Sequence, residues 1–237
     1  MTSATPTRRE RRRSETTAEI KEVALRLMAE SGPGAITLRA IARDMGMTPN
    51  AVYSYFPTRD DLVTALIAEV YGDLVNTVEA ARDAHPQDAP AARIMAWATA
   101  FRDWVITNKE GFLLIYGDPV PGYRAPEGGP APEALHRACT GLVGLIAGAW
   151  PTAEPRYADE PFDWNDFDPS LATVVRREFP TLPPTAIALA LRTWGRMHGL
   201  VALEVLGHLR TQTTNPANLY RTEMNHLIRE LGLTPPP

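Results

Sequence analysis

The chain has one cysteine, no charge-free apolar stretch of membrane length, and no run of alternating apolar and polar residues. Each scarcity closes off a class. A lone Cys139 makes no internal disulfide, so a reducing cytoplasm is the expected location. The longest apolar stretches are GLVGLIAGAW, residues 141–150, and the run from Ile187 to Leu206. The first is too short to span a bilayer, and Arg192, Arg196, His198 and Glu204 would make the second costly in lipid. No apolar segment follows the basic N-terminus, so no secretory signal and no membrane association are expected. Without an alternating pattern there is no strand for a phosphate-cradling glycine loop to follow.

Catalysis and metal binding lack their residues. His136 and Cys139 lie one helical turn apart, and Glu204 and His208 lie at i, i+4. A zinc site needs at least three ligands, and a cysteine nucleophile needs an oriented base and an anion hole. Neither pair brings them, so an enzyme is the remote alternative, and no metal or cofactor is expected.

What is present is a real core, 44% hydrophobic against 22% charged residues, with an uneven distribution of charge. The formal net charge is −4, yet residues 1–60 hold ten basic and seven acidic side chains, a formal +3, leaving −7 for the remainder. A basic head on an acidic body points to a polyanionic partner for the head alone, although basic tails are often simply solvated.

The head opens with TRRERRR, almost free of apolar residues, and residues 1–13 read as a disordered basic arm. Thr16 and Glu19 form a capping-box pattern before Ile20, Val23, Ala24, Leu27 and Met28, and SGPG stops that helix. Thr37 caps a short second helix that buries Leu38, Ile41, Ala42 and Met45, and Gly46 breaks it. Thr48 caps a third, with Pro49 at its first position, and Phe56-Pro57 ends it. A long fourth helix runs from Thr58, Asp60 and Asp61 towards Ala84. Further helices are expected at about 90–110, 111–117, 132–150, 170–179, 184–210 and 215–232. Between them lie GDPVPGYRAPEGGPAP, too rich in proline and glycine for regular structure, and an acidic, aromatic loop at 151–170, a lid, an interaction surface or a solvated loop. The chain is all-α.

The third helix carries the functional argument. At 100° per residue Val52 and Phe56 point to the core, while Asn50, Ala51, Tyr53 and Ser54 take the opposite half. Tyr53 and Tyr55 then stand about 160° apart, one on each flank. Small and amide groups at the centre with phenols at the edges suit the DNA major groove. Asn50, Ser54 and the methyls of Ala51 and Thr48 face bases, and the tyrosine hydroxyls reach phosphates. Helix, Gly46-containing turn, helix is helix-turn-helix spacing, although a plain three-helix packing unit has the same outline.

The stretch ITLRAIARDMGMTPNAVYSYFPTRDDLVTALI, residues 36–67, resembles the N-terminal signature of the TetR family of bacterial transcriptional regulators. The resemblance implies phosphate contacts from Thr37 and Arg39 and base-edge positions for Thr48, Pro49, Asn50 and Tyr53. It adds phosphate or base contacts from Ser54 and Tyr55, and a phosphate grip from Arg59. Pro49 departs from the commoner polar residue there. Arg8–Arg13 would add phosphate contacts by entering a minor groove.

TWGRMHGLVALEVLGHL, residues 193–209, is similar to the WHG type of TetR C-terminal domain. This implies a homodimer through the last two long helices, which fits the small stripe of Gly195, Gly199 and Ala202 beside Leu191, Trp194, Leu203 and Leu206. It also implies a small-molecule effector bound in the C-terminal domain. Candidate wall residues are Trp97, Phe101, Trp104, Phe112, Tyr116, Trp150 and Trp194, with His136, Cys139 and His198 as polar contacts. An aromatic i, i+4, i+7 stripe is more often plain core. The expected architecture is a basic arm at 1–13, a helix-turn-helix DNA-binding domain at 14–66, and a ligand-binding and dimerisation domain at 67–237. The expected function is a homodimeric repressor released from a palindromic operator on double-stranded DNA by a small molecule. An activator, or a regulator answering to a protein partner, is the alternative on the same fold.

Overall fold

In the computed structural model, residues 7–117 and 120–236 are described, and among them there are helices and turns but no strand. The all-α reading holds. No helix of the described residues is long and apolar enough to cross a membrane. The chain divides into two compact units, Met1–Gly72 with Lys109–Pro132, and Asp73–Asn108 with Glu133–Pro237.

In the first unit, α1 spans Arg8–Ser31 and α2 Leu38–Asp44. Next come α3, Pro49–Tyr53, the first half of α4, Arg59–Asp83, and α6, Lys109–Tyr116. The expected helix start at Thr16 is corrected. Thr7 caps α1, and Thr7 and Glu10 exchange the reciprocal bonds of a capping box. Both sites spell the same motif. The upstream one prevails because arginine and glutamate are strong helix formers and extend a helix without an apolar face. Residues 8–13 are therefore helical rather than a disordered arm, while residues 1–6 of the expected arm lie outside the described residues.

Gly32, at φ 78°, closes α1, and Gly46, at φ 63°, makes the turn between α2 and α3. Thr37 and Thr48 accept bonds from the amides of Ala40 and Ala51, as their positions predict. Thr58 and Asp61 cap α4 reciprocally. The shared core holds Ile20, Val23, Ala24, Met28, Ile36, Leu38, Ile41, Val52, Phe56, Leu62 and Leu66. Met45 is only half-buried at the end of α2. The proline- and glycine-rich segment after α6 belongs to this first compact unit.

The second unit contains the end of α4 and α5, Pro90–Thr107. It continues through α7, Pro132–Tyr157, from Glu133 onward, α8, Pro169–Glu178, α9, Pro184–Val205, and α10, Pro216–Glu230. Ile94, Trp97, Ile146, Ile187, Met197, Val201, Met224 and Ile228 form its core. Gly141 lets α7 approach α5, because a Cβ there would meet the Trp97 ring at 2.5 Å.

Two boundaries move. The helix expected to stop at 150 continues through Pro151 and Pro155 to Tyr157. Ala149, Trp150 and Ala153 bury its inner face, and the Thr152 hydroxyl donates to the Leu231 carbonyl at 3.0 Å, so tertiary contacts outweigh the missing proline N–H groups. The helix expected to reach 210 ends at Val205, and Gly207 turns the chain at φ 82°. The acidic segment that follows α7 is shorter than expected and has its own order. Asp163 caps a 3-10 turn, Trp164–Asp166, and the Arg176 guanidinium lies 4.3 Å over the Trp164 ring.

Candidate nucleic-acid interface

The exposed face of the head is assembled by caps. Thr37 and Thr48 each use the side-chain oxygen to hold a backbone amide, which fixes where α2 and α3 begin and leaves their first turns at the surface. Thr37, Arg39, Thr48, Pro49, Asn50, Tyr53 and Ser54 are all exposed. Val52, two residues from Asn50, is fully buried, so the α3 backbone is anchored from beneath. Tyr53 is 42% exposed, a large aromatic left in water on a five-residue helix. Amide, hydroxyl and phenol groups on one short face, with Arg39 on the neighbouring helix, can donate and accept at base edges and phosphates.

Three expected contacts are arranged differently. The Ser54 hydroxyl donates to the Ala51 carbonyl at 2.6 Å. Tyr55 is half-buried, and its ring lies 5.0 Å beneath the Arg13 guanidinium, which also donates to the Ser54 carbonyl at 3.0 Å. Arg59 does not project freely at the start of α4. Its guanidinium donates to the carbonyls of Ile36 and Pro121, the latter at 2.7 Å. The same loop sets Tyr123 against the Thr64 hydroxyl at 2.9 Å and brings the Arg124 amide to Asp60 at 3.3 Å. Arg13, Pro121 and Tyr123 thus act on the head although the sequence offered no sign of it. Arg13 read as part of a tail, and a backbone carbonyl acceptor has no residue signature.

The ten candidate effector residues divide between the units. Phe112 is buried and Tyr116 half-buried in the first, with their rings 5.3 Å apart and Tyr71 6.1 Å from Tyr116. In the second, Phe101 and Trp194 flank His198, with ring centroids at 6.2 and 5.3 Å. Burial pushes the His198 pKa below the usual histidine value. Trp97 lies beneath Arg82 at 5.5 Å, and the Trp104 indole donates to Asp73 at 2.7 Å. Trp150 is buried, whereas His136 is exposed and faces Glu178 at 3.2 Å. Burial also raises the Cys139 thiol above its ordinary value, which disfavours the thiolate. None of the ten lines the cavity of about 340 Å³ formed by Thr99, Arg102, Asp103, Asn215, Ala217, Asn218, Tyr220 and Arg221.

Comparison with known proteins agrees with this division of labour. Residues 20–66 match the model described as bacterial regulatory proteins, tetR family. Residues 94–227 match the one described as tetracyclin repressor-like, C-terminal domain. The HTH-type transcriptional regulator Mb1846 of Mycobacterium bovis is 32% identical over 231 residues, covering 93% of this chain and 94% of the relative. Rv1816 of Mycobacterium tuberculosis, also an HTH-type transcriptional regulator, is similar to the same extent. Among solved structures, SCO4313 superposes with a TM-score of 0.71 at 28% identity, covering 95% of this chain and all of its own. A tetR-family regulatory protein from Rhodococcus RHA1 shares the fold, with a TM-score of 0.62 at 20% identity over 92% of this chain and 97% of its own. These relatives are regulators rather than enzymes, and the head described above is a DNA-binding one. The chain belongs to the TetR family of bacterial transcriptional regulators.

Proposed function

We propose that the protein is a homodimeric, effector-responsive repressor that reads a palindromic operator with α3 and is released from it by a small molecule. The exposed face of Thr48, Pro49, Asn50 and Tyr53 above a buried Val52 carries the reading, with Thr37 and Arg39 holding phosphates. A second copy is supported by the apolar surface of α9 and its C-cap, where Leu191, Trp194, Leu203 and the capping Leu206 are all exposed. Large apolar side chains gathered there form the kind of patch that a partner covers. A two-fold dimer presents two reading helices and so selects half-sites about 10 bp apart or a multiple of that. An effector with higher affinity for a dimer whose reading helices are wrongly spaced draws the population off DNA. The rings of Phe101, Trp194 and His198 support an aromatic or apolar effector site in the second unit. Repression is taken from the family's usual behaviour, and no side chain encodes that sign.

The test is selection of bound duplexes from a random library by the purified, effector-free protein. An enriched palindrome with that half-site spacing supports the reading. A folded protein that enriches nothing, or only a single unpaired half-site, contradicts it.

A further inference from the structure

The two N-terminal turns of α1 place their charges on an unexpected side. Around a helix, Arg8, Arg9, Arg12 and Arg13 fall within about 140° of arc. Ile20, Val23, Ala24 and Leu27 fall on the same side about two to four turns later, and Ile20, Val23 and Ala24 are buried against the head. The core-facing stripe of α1 therefore becomes an arginine stripe where the helix overhangs the core. A merely solvated charge run has no reason to keep that face. Arg13 fixes the direction, since its guanidinium caps the Ser54 carbonyl and lies over the Tyr55 ring at the end of α3.

Together Arg8, Arg9, Arg12, Arg13 and Tyr55 line an open groove of about 620 Å³, a volume in the range of ligand sites but walled by guanidinium groups. Among the described residues no carboxylate forms an ion pair with any of these four arginines, whereas Lys21 and Arg26 in the same helix are paired with Glu69 and Asp44. Glu10, the acid nearest the groove in sequence, is held by Thr7. Positive charge in a helix's first turns also opposes the helix dipole, so this clustering weakens the helix unless an anion neutralises it.

We propose that this groove is a second DNA-contact site, which binds the phosphodiester backbone of the duplex alongside the groove that α3 reads. It rests on the assignment of α3 as the reading helix. The extension is a rigid helical one, joined to α3 through Arg13 and Tyr55, and its guanidinium groups meet phosphates rather than base edges. It therefore adds affinity and footprint length without adding sequence preference.

The test uses the full chain and the triple variant Arg8→Gln/Arg9→Gln/Arg12→Gln, since glutamine keeps helix propensity while removing charge. Binding is measured against salt for the selected duplex and for a random-sequence duplex of equal length. Loss of three phosphate contacts per protomer, six in the dimer, makes the slope of log K against log salt shallower by about 5 on both duplexes. The variant also ceases to lose affinity when the flanks of the selected duplex are trimmed. Lysines at the same three positions restore the slope. An unchanged slope in a variant whose circular dichroism and oligomeric state match the parent overturns the proposal, as does a slope change confined to the selected duplex. A parent protein that binds neither duplex at low salt overturns the reading of α3 and this site together.

Discussion

The head and the body treat polar side chains in opposite ways. On the head, Thr37, Arg39, Thr48, Asn50 and Tyr53 are turned to solvent. In the body, several buried or half-buried polar groups are paired internally. Arg102 forms a two-pronged bond to Glu204 at 2.9 and 2.6 Å, the Trp104 indole reaches Asp73, and the Tyr220 hydroxyl donates to the Ala98 carbonyl at 3.0 Å. Burial holds the Tyr220 phenol protonated well above its ordinary range. A surface that leaves its hydrogen-bonding groups unpaired keeps them for a partner, whereas an interior that pairs them fixes a shape. The difference separates residues that bind from residues that hold, and it can be broken by substitution.

The largest effect is expected on the head. Asn50→Ala and Tyr53→Ala should each cost about 1–3 kcal/mol of discrimination, a tenfold to hundredfold loss of affinity for the selected duplex. The melting temperature should stay within experimental scatter, because neither side chain is buried. Fluorescence anisotropy beside a thermal melt separates the two quantities. A melt that falls with the affinity would erase the distinction between the regions.

The converse holds for Glu204→Ala. The side chains of Arg102 and Glu204 are only 16% and 14% exposed, so the remaining guanidinium is left with little water. A loss of about 1.5–3 kcal/mol in stability is expected, seen as a fall of several degrees in Tm. The salt dependence of DNA binding should not change, since no phosphate contact is lost. Arg102→Met, made in the Glu204→Ala background, should cost less than it does alone, because the charge it removes is already unpaired.

Thr48→Ala sits between the two regions. It removes the bond to the Ala51 amide and should destabilise the start of α3 by about 1 kcal/mol. Here both readouts move, and amide exchange at Ala51 should quicken. Thr48→Ser retains the oxygen and restores the amide protection, which leaves any residual affinity loss to the missing methyl.

Legibility follows the same divide. Thr37, Thr48, Gly46 and the burial of Val52 were readable because each is fixed by its neighbours within one turn. The start of α1 is not readable in this way, since Thr7-Glu10 and Thr16-Glu19 are equivalent local signals and an apolar pattern is silent about a helix that overhangs its core. The aromatic candidates show the limit in the body. The spacing of Trp97, Phe101 and Trp104 correctly marks a buried face, but it does not name neighbours. Trp97 packs against Gly141, Phe101 against His198, and Trp104 bonds Asp73. Arg59 shows a different limit: the Pro121 carbonyl that its guanidinium engages is more than sixty residues away and has no side-chain signature.

The smallest expected effect tests whether the Phe101–His198–Trp194 cluster is interior or exposed. Burial lowers the folded-state pKa of His198 below about 6.5, the ordinary value approached in the unfolded chain. Between those two values the unfolded state binds the proton and the folded state does not, so stability rises with pH in that window. The contribution is fully present above about pH 6.5 and is lost as pH falls through the folded value. His198→Phe keeps an aromatic ring and removes the titration. Its Tm relative to the parent should therefore stay level from pH 7.5 to about 6.5 and climb as pH falls from there to 5.5, as the parent alone loses stability. A constant difference across that range would mean that His198 meets water freely in both states, and the ring cluster would then belong with the exposed groups of the head rather than with the paired interior of the body.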